Sequence, residues 1–383
     1  MLGRCSWRAP SARSRGEDEI ESMKLAGARV DQILPNLSPG DAASDACLQF
    51  GAMLAAAGAD TRIWSSELHP ARRDAAHRLD WRALRRRAPD LVLLHHATGS
   101  DVPDALRRAG LPYAVYFHNV TPPRYFLGAN DLLAGIVWRG LAQLGPLLAA
   151  ARLAVAPSRF SIAQLEAAGA TAPALVPIPF DPAAHAVEPD AELMRRFGDG
   201  RTNLLFVGRV APNKRQDLLL RTFRYYSATV DRDARLLLVG SRAAAPQYAE
   251  WLARAARAWD LDAVHLLGHV SDAARAACFR TASVFVSASE HEGFGVPLVE
   301  AMHHGVPVVA RAAAAVEETV ADGGIVVRDA DPARLAQLAA RVVEDEAMRA
   351  ACVAAGRARA AAFTSDRVAP ALVEAVRRAL DAA

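Results

Sequence analysis

Residues 283–311, SVFVSASEHEGFGVPLVEAMHHGVPVVAR, hold an apolar run, a glycine-rich turn, a helical pattern opening at Pro297 and a second apolar run. That succession is the strand–loop–helix–strand unit of a parallel sheet covered by helices. Residues 290–296 then form the loop at a strand's carboxyl end, where open α/β sheets bind ligands. Gly293 and Gly295 let the backbone approach a ligand closely, and the amides leading into the helix can donate to an anion or a sugar hydroxyl. Glu292 and Glu300 flank this turn, and the spacing projects them to either side of it, where each can accept hydroxyl hydrogen bonds from a different part of one ligand. Each feature also has a structural explanation. A glutamate in a first helical turn suits the macrodipole, and Gly-Phe-Gly can serve simply as a turn.

The same rhythm extends outward in both directions. In the second half, TNLLFVGRV (202–210), RLLLVGS (235–241), VHLLGHV (264–270), PVVAR (307–311) and GGIVVRD (323–329) are predicted strands separated by helical patterns. Helices are predicted from about Lys214, up to about Leu261 and from Pro297. In the first half, ARVDQILPNL (28–37), ADTRIWS (59–65), DLVLLHH (90–96), YAVYFHN (113–119) and LAVAPS (153–158) are predicted strands. ASDACLQFGAMLAAAG (43–58) has helical spacing and ends at Gly58, completing a βαβ unit. The proline-rich stretch VPIPFDPAAHAVEPD (176–190) suits neither a helix interior nor a central strand and marks the linker.

These readings divide the 383 residues into a 1–22 extension expected to be disordered, an N-terminal Rossmann-like domain (23–180), a C-terminal Rossmann-like domain (181–365) and a final helix (366–383). Ser365 or Asp366 is the expected cap of that helix, which is expected to pack back on the N-terminal domain. The extension lacks the apolar core of a secretory signal, and Met23 is an alternative translation start.

Composition excludes several classes. Hydrophobic residues at 52% and charged residues at 23% describe a folded chain, and the net charge of +3 gives no global field for nucleic acid. Cys5, Cys47, Cys278 and Cys352 are scattered, with no Cys-x-x-Cys pair and no histidine at zinc-ligand spacing, which points to reduced thiols and a cytoplasmic location. The longest charge-free runs are too short for a membrane span. Two Asp-x-Asp sequences have the form of a metal site, but Asp231–Asp233 precedes a strand, and Asp329–Asp331 reads as a helix cap before Pro332. The arginine-rich segment 71–90 has two readings, a basic face for anionic lipid or a lipid-linked acceptor, and a solvated surface helix.

A second motif supports ligand binding at the opening stretch. In FVGRVAPNKRQD (206–217) a strand ends at Gly208, followed by Arg209 and, five residues on, Lys214 near the start of the next helix. Two cations beside free helix amides suit a diphosphate, with each charge-assisted bond contributing roughly 1.5–3 kcal/mol.

Together, FVGRVAPNKRQDLLL, LLLVGS, VHLLGHVS and VFVSASEHEGFGVPLVEAMHHGVPVVA resemble the nucleotide-sugar-binding domain of the family 4 retaining glycosyltransferases of group 1, which have the GT-B architecture. The resemblance covers residues 200–328 and implies an α/β fold of two Rossmann-like domains facing across a cleft. It implies that Arg209 and Lys214 hold the donor diphosphate, that Glu300 binds the ribose hydroxyls and that Glu292 with the backbone of Gly293, Phe294 and Gly295 holds the transferred sugar. Arg215 departs from the family, many members of which have glycine after the lysine.

The N-terminal half resembles the family more weakly. VYFHNVTPPRYFLG places His118 at a strand end on the interdomain cleft, so the resemblance implies contact with donor sugar or phosphate, although a histidine there is as often structural. In LSPGDAASD (37–45) only Gly40 matches the Gly-Gly pair that relatives use for acceptor or diphosphate. His95 and His96 fit either a cleft lining or a packed strand, and His303 and His304 fit a helix end.

The resemblance implies retaining transfer of a hexosyl group, mannosyl among the candidates, from a GDP-, UDP- or ADP-linked sugar to a carbohydrate or lipid-linked acceptor, in polysaccharide or glycolipid synthesis in the cytoplasm or at the inner membrane face. No cofactor is expected, and no divalent metal is required if Arg209 and Lys214 neutralise the leaving diphosphate. The rival readings are a glycoside hydrolase using paired carboxylates, a non-catalytic nucleotide-sugar binder and an epimerase.

Overall fold

The computed structural model describes residues 25–382, so the predicted extension and the alternative start at Met23 lie outside the described residues. Two parallel sheets organise the chain. The first contains β1 (Val30–Leu37), β2 (Ile63–Leu68), β3 (His77–Arg78), β4 (Leu91–His96), β5 (Tyr113–Phe117), β6 (Leu153–Ala156) and β7 (Ala174–Leu175). The second contains β8 (Asn203–Val207), β9 (Arg235–Val239), β10 (Val264–Gly268), β11 (Val284–Ser287), β12 (Val308–Arg311) and β13 (Ile325–Val327).

Their orders are β3-β2-β1-β4-β5-β6-β7 and β10-β9-β8-β11-β12-β13. Each sheet starts at a central strand, winds to one edge and then returns to wind the other way. The reversal falls between β1 and β4 in the first sheet and between β8 and β11 in the second, opening a crevice at their carboxyl ends. Strands such as β4, β5, β8, β9 and β11 are buried along their whole length, as parallel strands covered on both faces must be.

The chain crosses between the sheets twice. The first crossing follows β7, where Phe180 N–H donates to the Phe363 carbonyl at 2.7 Å and Phe180 pairs with Thr364 as an isolated parallel bridge. The second crossing is that same Phe363–Thr364 segment, so the two run side by side. Beyond it the helix Ser365–Asp381 returns to the first sheet. Its Val368, Leu372, Val373, Val376 and Ala379 recur at helical spacing and share a core with Phe50, Leu54, Tyr116 and Leu153.

Three local expectations need correction. The helix predicted from Lys214 begins at Gln216, because Pro212–Lys214 form a 3₁₀ turn and Arg215 is left-handed at φ 53 and ψ 43. Thr364, rather than Ser365 or Asp366, occupies the N-cap of the last helix, without a side-chain cap bond. Glu300 lies one turn inside the helix Val296–His303 rather than at its first turn, so the macrodipole does not account for it. Asp331 does cap its helix, accepting from Arg334 N–H at 3.0 Å. Among the described residues, no helix is long and apolar enough to cross a membrane.

Leu372 is 1% exposed on the returning helix. Leu372→Ala is expected to destabilise the protein by about 2–5 kcal/mol, read as an earlier denaturation midpoint with the loops at the strand carboxyl ends chemically intact.

Candidate active site

Asn213 holds the site's two loops together. This buried residue leaves β8 through the turn Pro212–Lys214, and its carbonyl accepts from Glu290 N–H at 2.8 Å while its side-chain amide donates to the His291 carbonyl at 3.2 Å. The loop after β8 is thus bound to the loop after β11, across the point where the strand order reverses. Lys214 comes against Glu292, with Nζ 2.6 Å from each carboxylate oxygen. Both side chains are largely buried, at 14% and 12% exposure. An ion pair so shielded is costly to break from one side, because the remaining charge loses its partner.

Arg209 lies on the same loop and is exposed. Its carbonyl accepts from Gln216 Nε2 at 2.9 Å, which anchors the backbone, and among the described residues its guanidinium has no hydrogen-bond or ion-pair partner. Gly208 precedes it, and a side chain there would press on the Phe206 ring at 3.0 Å. The loop therefore presents one cation held by a carboxylate and one unpaired, at the mouth of the crevice.

Arg215 is explained by its backbone. Left-handed φ and ψ favour glycine, the residue many family members carry at this position. Its guanidinium turns away from Lys214 to pair with Asp217 at 3.0 Å and with Glu290, which also meets Arg311 at 2.9 Å. These partners hold the Arg215 pKa above its usual value.

The turn at 293–295 faces the other sheet. Ser158 Oγ donates to the Gly293 carbonyl at 2.8 Å, and Ser161 Oγ does so at 3.4 Å. A Cβ on Gly293 would lie 2.6 Å from both Asn119 Cβ and the His118 carbonyl, so only glycine fits. Beside it His291 Nε2 donates to Asn119 Oδ1 at 2.8 Å, while Asn119 Nδ2 donates to Ser161 and Gln164. Burial lowers the His291 pKa to about 4, so this interdomain bond joins neutral groups at pH 7. Gly295, at φ 95, opens the helix Val296–His303.

The two glutamates of the opening motif have separate cationic partners. Glu300 is 3% exposed, pairs with Arg275 at 2.9 Å and lies 3.7 Å from His185 on the linker. Burial raises its pKa against the opposing pull of Arg275. For Phe294, where the resemblance implicates the backbone, the side chain has a structural role. Its ring is buried and packs edge-on against Phe363 at 5.0 Å, so the side chain supports the turn from the core.

His118 directly follows β5, is 9% exposed and accompanies Asn119 at the interface. Gly40, at φ 70, stands opposite the second sheet, where a Cβ would lie 3.5 Å from His269 Cε1. Gly40 thus lies across from the loop after β10, and among the described residues no hydrogen bond joins it to the turns at 208–214 or 293–295.

Sequence reasoning missed Asn119, Ser158, Ser161, Asn213, His291 and Arg275. Asn119 carried one usable signal, an asparagine directly after a strand-ending histidine in HNVTPP, and it is left-handed at φ 75. The others act through partners far away in sequence.

Paired Rossmann-like sheets with a cation-bearing crevice between them define an α/β protein of the GT-B class. A family model described as Glycosyltransferase Family 4 matches residues 37–183, and one described as Glycosyl transferases group 1 matches residues 201–345. The chain belongs to this family of group 1, family 4 glycosyltransferases. D-inositol 3-phosphate glycosyltransferase of Streptosporangium roseum is 35% identical over 169 residues, covering 42% of this chain and 38% of that protein. O-antigen chain mannosyltransferase B of Escherichia coli is 36% identical over 104 residues, 26% of each chain. The chain thus spans less than half the length of these curated relatives. In fold it is similar to Anabaena HepE, solved in complex with UDP and glucose, with TM-score 0.75, 18% identity and coverage of 91% of this chain and 99% of that one.

Gly293→Ala is expected to force the two domains apart, with a larger radius of gyration in X-ray scattering and a loss of about 1–3 kcal/mol on denaturation. Unchanged values of both would contradict the close approach of Gly293 to Asn119.

Proposed function

We propose that the chain transfers a glycosyl group from a nucleoside-diphosphate sugar to an acceptor hydroxyl, with retention of anomeric configuration. The observation that carries this reading is the meeting of Arg209, Lys214, Glu292 and the Gly293–Gly295 turn at the carboxyl ends of β8 and β11, opposite His118. Arg209 and Lys214 stabilise the departing diphosphate, which takes up negative charge as the bond to the sugar lengthens. Glu292 holds the Lys214 ammonium in place and offers its remaining acceptor capacity to sugar hydroxyls. Glu300, tied to Arg275, is assigned to the ribose.

The pairing of each glutamate with its own cation counts against a hydrolase, which needs one carboxyl group free as an acid and the other free as nucleophile or base. The names of the relatives support a sugar transferase, and that of the Escherichia coli relative supports a mannosyl donor. Donor bases GDP, UDP and ADP are all retained in the proposal, as are a carbohydrate or lipid-linked acceptor and a role in polysaccharide or glycolipid synthesis. Contact with an anionic lipid surface would use the exposed Arg82, Arg85 and Arg86; Arg87 is withdrawn from that face by its pairing with buried Asp31 at 2.8 Å. With two cations supplied by the protein, a divalent metal is not required.

A panel of GDP-, UDP- and ADP-sugars, each assayed with and without acceptor sugars, tests the activity. Donor-dependent transfer supports the reading. Cleavage of simple glycosides without nucleotide, isomerised donor, or binding without turnover would each replace it with one of the rivals. Arg209→Ala together with Lys214→Ala is expected to reduce kcat/KM by about a hundredfold to ten-thousandfold, from two charge-assisted bonds of roughly 1.5–3 kcal/mol each. Single Arg209→Ala is the cleaner variant, because it leaves no buried charge unpaired. Activity in excess EDTA is expected to equal that in magnesium; loss in EDTA with recovery on adding metal would overturn the metal-independent mechanism.

A further inference from the structure

A buried hydrogen-bonded row crosses the first sheet behind the donor site. Gln32 on β1, His95 on β4 and His118 directly after β5 lie on or beside three adjacent strands. Gln32 and His95 are 0% exposed. Gln32 Oε1 lies 2.9 Å from His95 Nε2, and His95 Nδ1 lies 2.8 Å from His118 Nε2. The row ends at His118 Nδ1, which is buried and has no partner among the described residues. A buried nitrogen without a partner is costly, which marks it as a place for a ligand group.

The protons in this row are interdependent. Burial lowers the His95 pKa to about 3 and the His118 pKa well below the usual histidine value, with His95 and His96 adding to the second shift. Both rings are therefore neutral at pH 7, each with one N–H and one bare nitrogen. An amide oxygen can only accept, so His95 carries its proton on Nε2 and faces His118 with the lone pair of Nδ1. His118 must then donate from Nε2, which leaves its Nδ1 bare.

We propose that Gln32 and His95 are positioning residues that hold His118 in the Nε2–H tautomer, so that its Nδ1 accepts a hydrogen bond from a hydroxyl of the bound glycosyl group. The hydroxyl's identity rests on the nucleotide-sugar reading above; the tautomer does not. Location supports the assignment, because the His118 carbonyl lies 2.6 Å from the position of a Cβ on Gly293, which puts His118 beside the turn assigned to the sugar. A lone acceptor in a closed site favours a sugar with a hydroxyl there over its deoxy analogue.

Gln32 Nε2 is also without a partner among the described residues and faces Gly51, where a Cβ would lie 3.1 Å away. Rotating that amide would reverse every bond in the row and turn His118 Nδ1 into a donor, so the polarity is what the experiment must read.

The full chain, labelled with ¹⁵N-histidine, gives His118 signals identified by their loss in His118→Gln. At pH 7 the expected long-range ¹H–¹⁵N pattern is a protonated Nε2 and a bare Nδ1; a protonated Nδ1 overturns the proposal. Gln32→Met, checked for folding by circular dichroism, is expected to mix the tautomers. It should also lower kcat for GDP-mannose or UDP-glucose by about tenfold while changing KM less than about twofold, since the second domain holds the nucleotide. Gln32→Glu, which can only accept while ionised, is expected to restore both readouts. An unchanged tautomer in Gln32→Met overturns the positioning role. Should neither donor turn over with the wild-type chain, the transfer reading fails, while the spectra still decide the row.

Discussion

The carbonyl of Gly293 accepts hydroxyl hydrogen bonds from Ser158 and Ser161, and much of the site's geometry depends on that contact. It fixes how closely the two sheets approach, because the Gly293 Cα lies against the Asn119 side chain and the His118 backbone. It also sets the direction of the peptide next to Glu292. The 293–295 turn of one domain is therefore shaped by the first residues of a helix in the other, and its conformation is set only when the domains meet. Neutral His291 adds a bond of the same kind through Asn119, one that does not change charge near pH 7.

Behind that contact, charges are sorted into pairs that keep neighbouring carboxylates apart. Glu290 belongs to Arg215 and Arg311, Glu292 to Lys214, and Glu300 to Arg275. Arg215 shows why this sorting works. Its side chain is held by Asp217 and Glu290, which offset the strain of a left-handed backbone at a position that favours glycine. The departure from the family pattern thus alters the loop's support and leaves Arg209 and Lys214 as the two cations available to the proposed donor.

Much of this was legible in the sequence for a physical reason. Parallel strands buried on both faces leave unbroken apolar runs, so β4, β5, β8 and β11 stood out, and with them the loops at their carboxyl ends. Arg209, Lys214, Glu292 and Glu300 could be named because they lie on those loops or one helical turn beyond. What could not be read was partnership. The bond from Asn213 to His291 joins residues 78 positions apart, and the bond from His291 to Asn119 joins residues 172 apart. No local pattern encodes either. The ring of Phe294 shows the same limit, because its packing against Phe363 has no local signal in the sequence. Lys214 as a helix start failed because a non-glycine residue in left-handed backbone leaves no signal in hydropathy.

The paired crossings at Phe180 and Phe363–Thr364 bear on how the two halves can open. Two chain segments bonded side by side resist bending and shear much more than a single strand, yet still permit twisting about their common line. Any gape of the two halves must therefore pivot near this seam, with the widest travel at the far rim. Since Phe363 also packs on Phe294, the pivot is mechanically joined to the 293–295 turn, and opening the jaws would tug on the floor of the proposed donor site.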